Sequence, residues 1–206
     1  MLDIINLTVN FGGRDLFSPI DLTVGNNEIV VIMGASGIGK TSILNAIANN
    51  IPYSGKITSS KSFTVFQDTH QLFPWYTIKQ NLNLVCSKDY IGAVYDWNLL
   101  ELLDCYPNKI SGGQRQRFTL IRAMYSGCKL LLCDEPLNGL DSVTRYTVLS
   151  DFKKKIADLN LSCLWVSHDL SEAKYIGNSI KLLTQNNFIN LDKEVTYDKF
   201  IKQMEN

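Results

Sequence analysis

Three short apolar runs without a polar face punctuate the chain: Glu28–Met33 (EIVVIM), Lys129–Cys133 (KLLLC) and Ser162–Val166 (SCLWV). Runs of this length, rich in branched side chains, read as strands covered on both faces. Helical periodicity separates them. Thr41–Asn49 (TSILNAIAN) puts Ile43, Leu44 and Ile47 on one face, Gln114–Tyr125 precedes the second run, and Ser142–Leu159 lies between the second and third. Strand–helix–strand alternation predicts a parallel sheet with right-handed crossovers. Leu2, Ile4, Leu7 and Val9, followed by Leu16–Val24 behind Gly12-Gly13, predict a small antiparallel sheet near the N-terminus. From Asp68 to Ile110 the pattern changes to helix and turn, which predicts a helical lobe inserted into the core. Ile180–Asn206 reads as a hairpin, turning at Gln185-Asn186-Asn187, and a short final helix.

The expected class is α/β: a mainly parallel core sheet, a small N-terminal antiparallel β-subdomain and a short inserted helical lobe. One domain spans 1–206, with 1–67 and 118–206 forming the core and 68–117 the lobe. A length of 206 residues suits this organisation. Twenty basic and twenty acidic side chains cancel, so bulk charge gives no footprint for nucleic acid or anionic lipid, and no nucleic-acid partner is expected. At 45% hydrophobic and 19% charged residues, the chain has material for a packed core. The longest apolar run, Ile29–Met33, is far short of the roughly 20 residues that cross a bilayer. Met1–Asn10 has no basic side chain and reads as no signal peptide, so a cytosolic setting is expected. The five cysteines are odd in number and never spaced Cys-x-x-Cys, which argues against a disulfide framework or a zinc knuckle. Cys133, inside an apolar run, reads as a small buried hydrophobe.

The chemistry starts at Gly34-Ala35-Ser36-Gly37-Ile38-Gly39-Lys40-Thr41, which fits G-x-x-x-x-G-K-[ST] between a buried strand and a helix. Such a loop lets successive backbone N–H groups converge on phosphate oxygens, and the helix beginning near Lys40 adds its partial positive charge. Lys40 supplies an ammonium for the β- and γ-phosphates, the Thr41 hydroxyl can coordinate Mg²⁺, and Ser42 completes the predicted cradle. The buried run ending in Asp134 brings a carboxylate to the sheet's carboxyl edge, where it can hold Mg²⁺ directly or through water. Glu135 stands next to it as a general base for an attacking water. Together these predict a P-loop NTPase core that takes ATP and Mg²⁺.

Ile110-Ser111-Gly112-Gly113-Gln114-Arg115-Gln116-Arg117 resembles the signature sequence of ATP-binding cassette (ABC) proteins, with Ile110 where leucine is usual. Ser111 is expected to cap the following helix, and Gly112 and Gly113 leave its N-terminal amides open to a phosphate. The resemblance implies that Ser111, Gly112, Gly113 and Gln114 serve nucleotide held by a second cassette, the two closing head to tail. It implies further roles in family order. Gln67 reaches Mg²⁺ and the attacking water, Asn138-Gly139-Leu140-Asp141 forms the loop crossing the dimer interface, and His168 contacts the γ-phosphate. Phe11, 23 residues before Gly34, stands where the family stacks adenine on an aromatic ring, usually tyrosine. Outside these roles, His70 reads as a polar loop residue, and Arg115 and Arg117 as a solvated helix face.

Gln67–Leu82 (QDTHQLFPWYTIKQNL) resembles importer cassettes, and its Leu-Phe-Pro-Trp segment those for nitrate, sulfonate and taurine-type anions. That resemblance implies a transporter ATPase, peripheral on the cytoplasmic face of the membrane. Its partners would be separate integral membrane permease subunits and, for an importer, a substrate-binding protein. Phe73, Trp75 and Tyr76 either offer an aromatic surface to the permease or pack inside the lobe. The 44 residues from Gln67 to Ser111 are fewer than importer cassettes use, with the shortfall placed between Leu103 and Pro107. The alternative is a non-transport ABC ATPase acting as an assembly or mechanical factor.

Overall fold

The computed structural model describes residues 1–67 and 71–204. His70, assigned above to a polar loop, lies outside them. The three unbroken apolar runs become strands β5 (Ile29–Met33), β8 (Leu130–Asp134) and β9 (Ser162–Val166), each buried along its whole length. With β7 (Ser62–Val65), β10 (Ser179–Leu183) and β11 (Phe188–Leu191) they form a six-stranded sheet in the order β11-β10-β5-β9-β8-β7. All neighbours are parallel except the hairpin β10–β11. That hairpin turns where expected, with Thr184 N donating to Asn187 O at 3.0 Å.

Alternation along the parallel strands feeds two cores. Val31, Met33, Leu131, Cys133, Cys163 and Trp165 face one side, under helices α4 (Gly112–Met124), α5 (Ser142–Asp158) and α6 (Leu170–Ile176). Trp165 meets the Phe152 ring there at 5.1 Å. Val30, Ile32, Leu130, Leu132, Leu164 and Val166 face the other side, against α1 (Lys40–Ile47) and a second sheet. This smaller antiparallel sheet, in the order β4-β1-β6, joins β1 (Leu2–Thr8), β4 (Ile20–Val24) and β6 (Ser54–Ser59). Only Ile20–Val24 of the expected Leu16–Val24 strand is extended, because a two-residue hairpin, β2 (Asn10–Phe11) and β3 (Arg14–Asp15), precedes it.

Among the described residues of the lobe are α2 (Ile78–Asn83), α3 (Ile91–Asp96) and the 3₁₀ turns Leu100–Leu102 and Pro107–Lys109. Its arginines correct the sequence reading, since Arg115 and Arg117 are half-buried rather than a solvated face. Arg115 Nη1 donates to the carbonyls of Pro107 (3.1 Å) and Ile110 (2.6 Å), and Arg117 Nη1 to that of Trp97 (3.0 Å). These carbonyls belong to irregular backbone, and the guanidinium groups supply partners that a helix or strand would otherwise provide. Phe73, Trp75 and Tyr76 cluster at ring separations of 5.5 to 6.3 Å while each stays partly exposed, so the rings are not packed away inside the lobe. A final helix, α7 (Tyr197–Met204), closes the described chain.

Candidate functional site

Because β5, β9, β8 and β7 are adjacent and parallel, their carboxyl ends share one edge of the sheet, where open α/β sheets bind ligands. Register sets Asp134 opposite Val166, and Val166 opposite Ile32. Gly34, Gln67, Glu135 and His168 therefore follow the strands into one place. They border a cavity of about 420 Å³ lined by Gly34, Ser36, Gly37, Gly39, Lys40, Thr41, Ser42, Gln67, Asp134, Glu135 and His168.

The loop after β5 is shaped by glycine. Gly39, the residue preceding α1, sits at φ +110 with no side-chain cap, and a Cβ there would lie 2.9 Å from the Phe17 ring. Only glycine takes that backbone at no cost, and the bare amides that result are what an anion at a helix N-terminus needs. Ala35 contributes its carbonyl, and Ile38 turns its side chain to the core. Lys40 Nζ donates to Gly34 O and Ala35 O, both at 2.8 Å, so the ammonium is held across the mouth of the loop. Burial pushes its pKa below the usual lysine range, against the pull of the Glu135 and Asp134 carboxylates.

Thr41 Oγ1 donates to Asp134 Oδ2 at 2.6 Å. Burial raises the Asp134 pKa, with Glu135 adding to the effect while the Thr41 bond and Lys40 oppose it. A hydroxyl and a desolvated carboxylate in contact make a hard oxygen donor set, the kind Mg²⁺ selects, so the residues present fit that ion. Glu135 adopts φ +44, a left-handed backbone unusual for glutamate, and its N–H donates to Val166 O at 3.1 Å. Its Oε2 lies 3.3 Å from Gln67 Nε2 and 3.2 Å from His168 Nδ1, placing two other predicted side chains on this carboxylate.

The remaining predicted residues stand outside this cavity. Phe11 is 78% exposed on the β2–β3 hairpin. Ser111 caps α4 as expected, in a capping box with Gln114, its Oγ accepting from Gln114 N while Gln114 Oε1 accepts from Ser111 N. Asp141 caps α5 by accepting from Thr144 N at 3.0 Å.

The family model for the ABC transporter matches residues 17–138, more than half of the chain. The chain belongs to the ABC transporter family. The aliphatic sulfonates import ATP-binding protein SsuB of Burkholderia ambifaria is 34% identical to this cassette over 201 residues, covering 92% of it. The cassette spans 62% of that relative's own length. The aliphatic sulfonates import ATP-binding protein SsuB 2 of Agrobacterium fabrum is 33% identical, covering 91% of the cassette and 78% of its own length. The importer resemblance of the Gln67–Leu82 stretch agrees with the names these relatives carry. Among solved structures, an ATP-binding subunit of an ABC transporter matches with a TM-score of 0.87 at 18% identity, covering 100% of both chains. A dimeric ATP-binding cassette in a post-hydrolysis state, bound to ADP and Pi, matches at 0.79 with 23% identity, covering 95% of this cassette and 100% of that chain. Both likenesses are to the fold.

The sequence reading missed the residues that tie the cassette's loops together. Gln116 Nε2 donates to Asn138 O from α4, and Gly113 approaches the same loop so closely that a Cβ would lie 2.7 Å from Leu140 Cδ2. Helix α6 was also missed, although Asp169-Leu170-Ser171-Glu172 carries the D-x-x-E pattern of a helix start. Asp169 Oδ1 accepts from Ser171 N at 2.8 Å and Glu172 N at 3.1 Å.

Proposed function

We propose that this chain is the ATP-hydrolysing subunit of an ABC importer, in which two cassettes pair head to tail around ATP and drive separate membrane permease subunits. The observation that carries the catalytic reading is the convergence of Gln67, Glu135 and His168 at the open side of the Lys40 cradle. The backbone amides of residues 34–42 and the Lys40 ammonium bind the triphosphate, and the exposed Phe11 ring gives adenine a face to stack on. Thr41 and Asp134, with Gln67 beside them, would hold Mg²⁺, which when bound neutralises charge on the β- and γ-phosphate oxygens. A water between Glu135 and the γ-phosphate gives its proton to the carboxylate as its oxygen attacks phosphorus. The bond from phosphorus to the β,γ-bridging oxygen breaks, ADP keeps the electron pair, and phosphate leaves. His168 presents Nδ1 to Glu135, which leaves Nε2 to donate to the γ-phosphate. Ser111, Gly112, Gly113, Gln114 and Asp141 serve the nucleotide of the partner cassette.

Importer character and an anionic, sulfonate-type cargo rest on the relatives' names and on the Leu72-Phe73-Pro74-Trp75 segment. In this reading the Phe73, Trp75 and Tyr76 rings are the surface offered to the permease. No described helix is long and apolar enough to cross a membrane. The test is a pair of variants in calorimetry and a phosphate-release assay. Lys40→Ala should lose ATP binding, whereas Glu135→Gln should keep binding, lose turnover by about a thousandfold and sediment as a dimer with ATP and Mg²⁺. Parental hydrolysis by Glu135→Gln would overturn the base assignment.

A further inference from the structure

We infer that Arg145 is a positioning residue for hydrolysis: its guanidinium bridges the loop after Glu135 to the residue after His168 and so fixes the spacing of those two side chains. The inference rests on the roles given to Glu135 and His168 above. Arg145 lies in the first turn of α5, where the helix dipole disfavours a cation. Its side chain instead reaches back past the helix start. Nη2 donates to Leu140 O at 3.2 Å and Nη1 to Asp169 Oδ2 at 3.1 Å.

Both ends of the bridge lead to the site. Leu140 belongs to a loop of two successive turns that starts at Glu135, with Asn138 N donating to Glu135 O at 3.1 Å and Leu140 N to Leu137 O at 3.2 Å. Glu135 itself occupies a left-handed backbone, which lasts only where surrounding contacts hold it. On the other side, Asp169 divides its oxygens: Oδ1 caps α6 and Oδ2 takes the Arg145 bond. Its N–H donates to Ser167 Oγ at 3.1 Å, so the backbone on both sides of His168 is pinned. The circuit closes at the 3.2 Å contact between His168 Nδ1 and Glu135 Oε2.

The arrangement serves geometry more than stability. Arg145 Nε is buried without a partner among the described residues, a cost that a bridge placed for stability alone could avoid. The pair is also a quarter to a third exposed, which limits its worth as a salt bridge. What arginine supplies is a planar fork whose two N–H groups reach a carbonyl and a carboxylate at once, and lysine cannot copy that.

The experiment compares Arg145→Lys, Asp169→Asn and the double variant with the parent, as full chains well below their melting temperatures. The amide introduced by Asp169→Asn keeps an oxygen to cap α6 but lacks the charge. Each single variant should lose about tenfold to a hundredfold in kcat while ATP affinity, read by calorimetry, stays within about twofold. The double variant should be no worse than the weaker single, because both act through one bridge. A kcat within about twofold of the parent, with only the melting temperature lowered, would show a structural role and overturn the inference; so would ATP affinity falling in step with kcat. If Arg145→Lys fails to fold, Asp169→Asn carries the same comparison. Glu135→Gln runs alongside. Parental hydrolysis in that variant overturns the reading of the site and this inference with it, whereas a dead Glu135→Gln beside fully active Arg145→Lys and Asp169→Asn overturns the bridge alone.

Discussion

At the scale of single residues, the fold includes groups whose burial would be costly without a specific neighbour. Glu172 shows the balance. It is 5% exposed, yet Oε1 accepts from Trp165 Nε1 at 2.7 Å, which satisfies an indole N–H deep in the core. Burial pushes the Glu172 pKa above the usual glutamate range, against hydrogen bonds from Trp165 and Ser167. A carboxyl whose folded pKa is raised favours folding most below its unfolded value, and that contribution is lost as pH rises through the folded value. Glu172→Gln keeps an acceptor for Trp165 and never ionises. Its stability relative to the parent, from urea unfolding, should therefore rise from pH 5 to pH 8. Glu172→Ala instead orphans the indole and should cost about 1–3 kcal/mol at either pH. A gap between Glu172→Gln and the parent that does not change with pH would show that the carboxyl titrates as it does in water.

At the scale of elements, what could be read from sequence depended on burial and periodicity. Strands β5, β8 and β9 are legible because both their faces are covered, leaving unbroken apolar runs. Strand β6 (SGKITS) is not, since it edges the small sheet with mostly exposed side chains and is an element only through pairing with β1, as in Ile4 opposite Ile57. The aromatic turn at Phe73–Thr77 was legible as a motif, but its support was not. Asn81, fully buried on α2, donates through Nδ2 to the carbonyls of Phe73, Tyr76 and Thr77, and its Oδ1 accepts from Phe73 N at 2.7 Å. Such a staple has no periodicity to betray it. Asn81→Leu fills the space but removes these bonds, stranding Phe73 N and Tyr76 O while Phe73 O and Thr77 O keep the backbone amides of Tyr76 and Asn81, and should destabilise the fold by about 2–4 kcal/mol in urea unfolding. In the same variant, Trp75 emission should shift as the ring cluster loosens. An unchanged unfolding midpoint would mean that the turn holds itself.

At the scale of the whole molecule, the cavity was legible because each of its parts is a contiguous motif at a strand end. The contacts between those parts were not, since Gln116–Asn138 and Arg145–Asp169 join elements 22 and 24 residues apart. Another arrangement is visible only at this scale. The signature residues lie outside the lining of the chain's own cavity, although the glycine start of α4 is suited to an anion. The proposed head-to-tail pairing gives each of two symmetric sites a cradle from one copy and a signature from the other. Complementation tests that directly. Lys40→Ala removes the cradle's cation. Gly112→Asp puts a carboxylate where the partner's triphosphate would sit, and a Cβ at Gly112 meets nothing closer than Arg115 Nη2 at 3.8 Å, so the fold tolerates it. Each variant alone should be inactive. In an equimolar mixture, half the dimers are mixed, and one of the two sites in each joins an intact cradle to an intact signature. The mixture should therefore recover about a quarter of the parental hydrolysis rate. Recovery fails if each cradle is completed by its own chain, and a mixture that stays at background while both variants remain folded would rule out the crossed assembly.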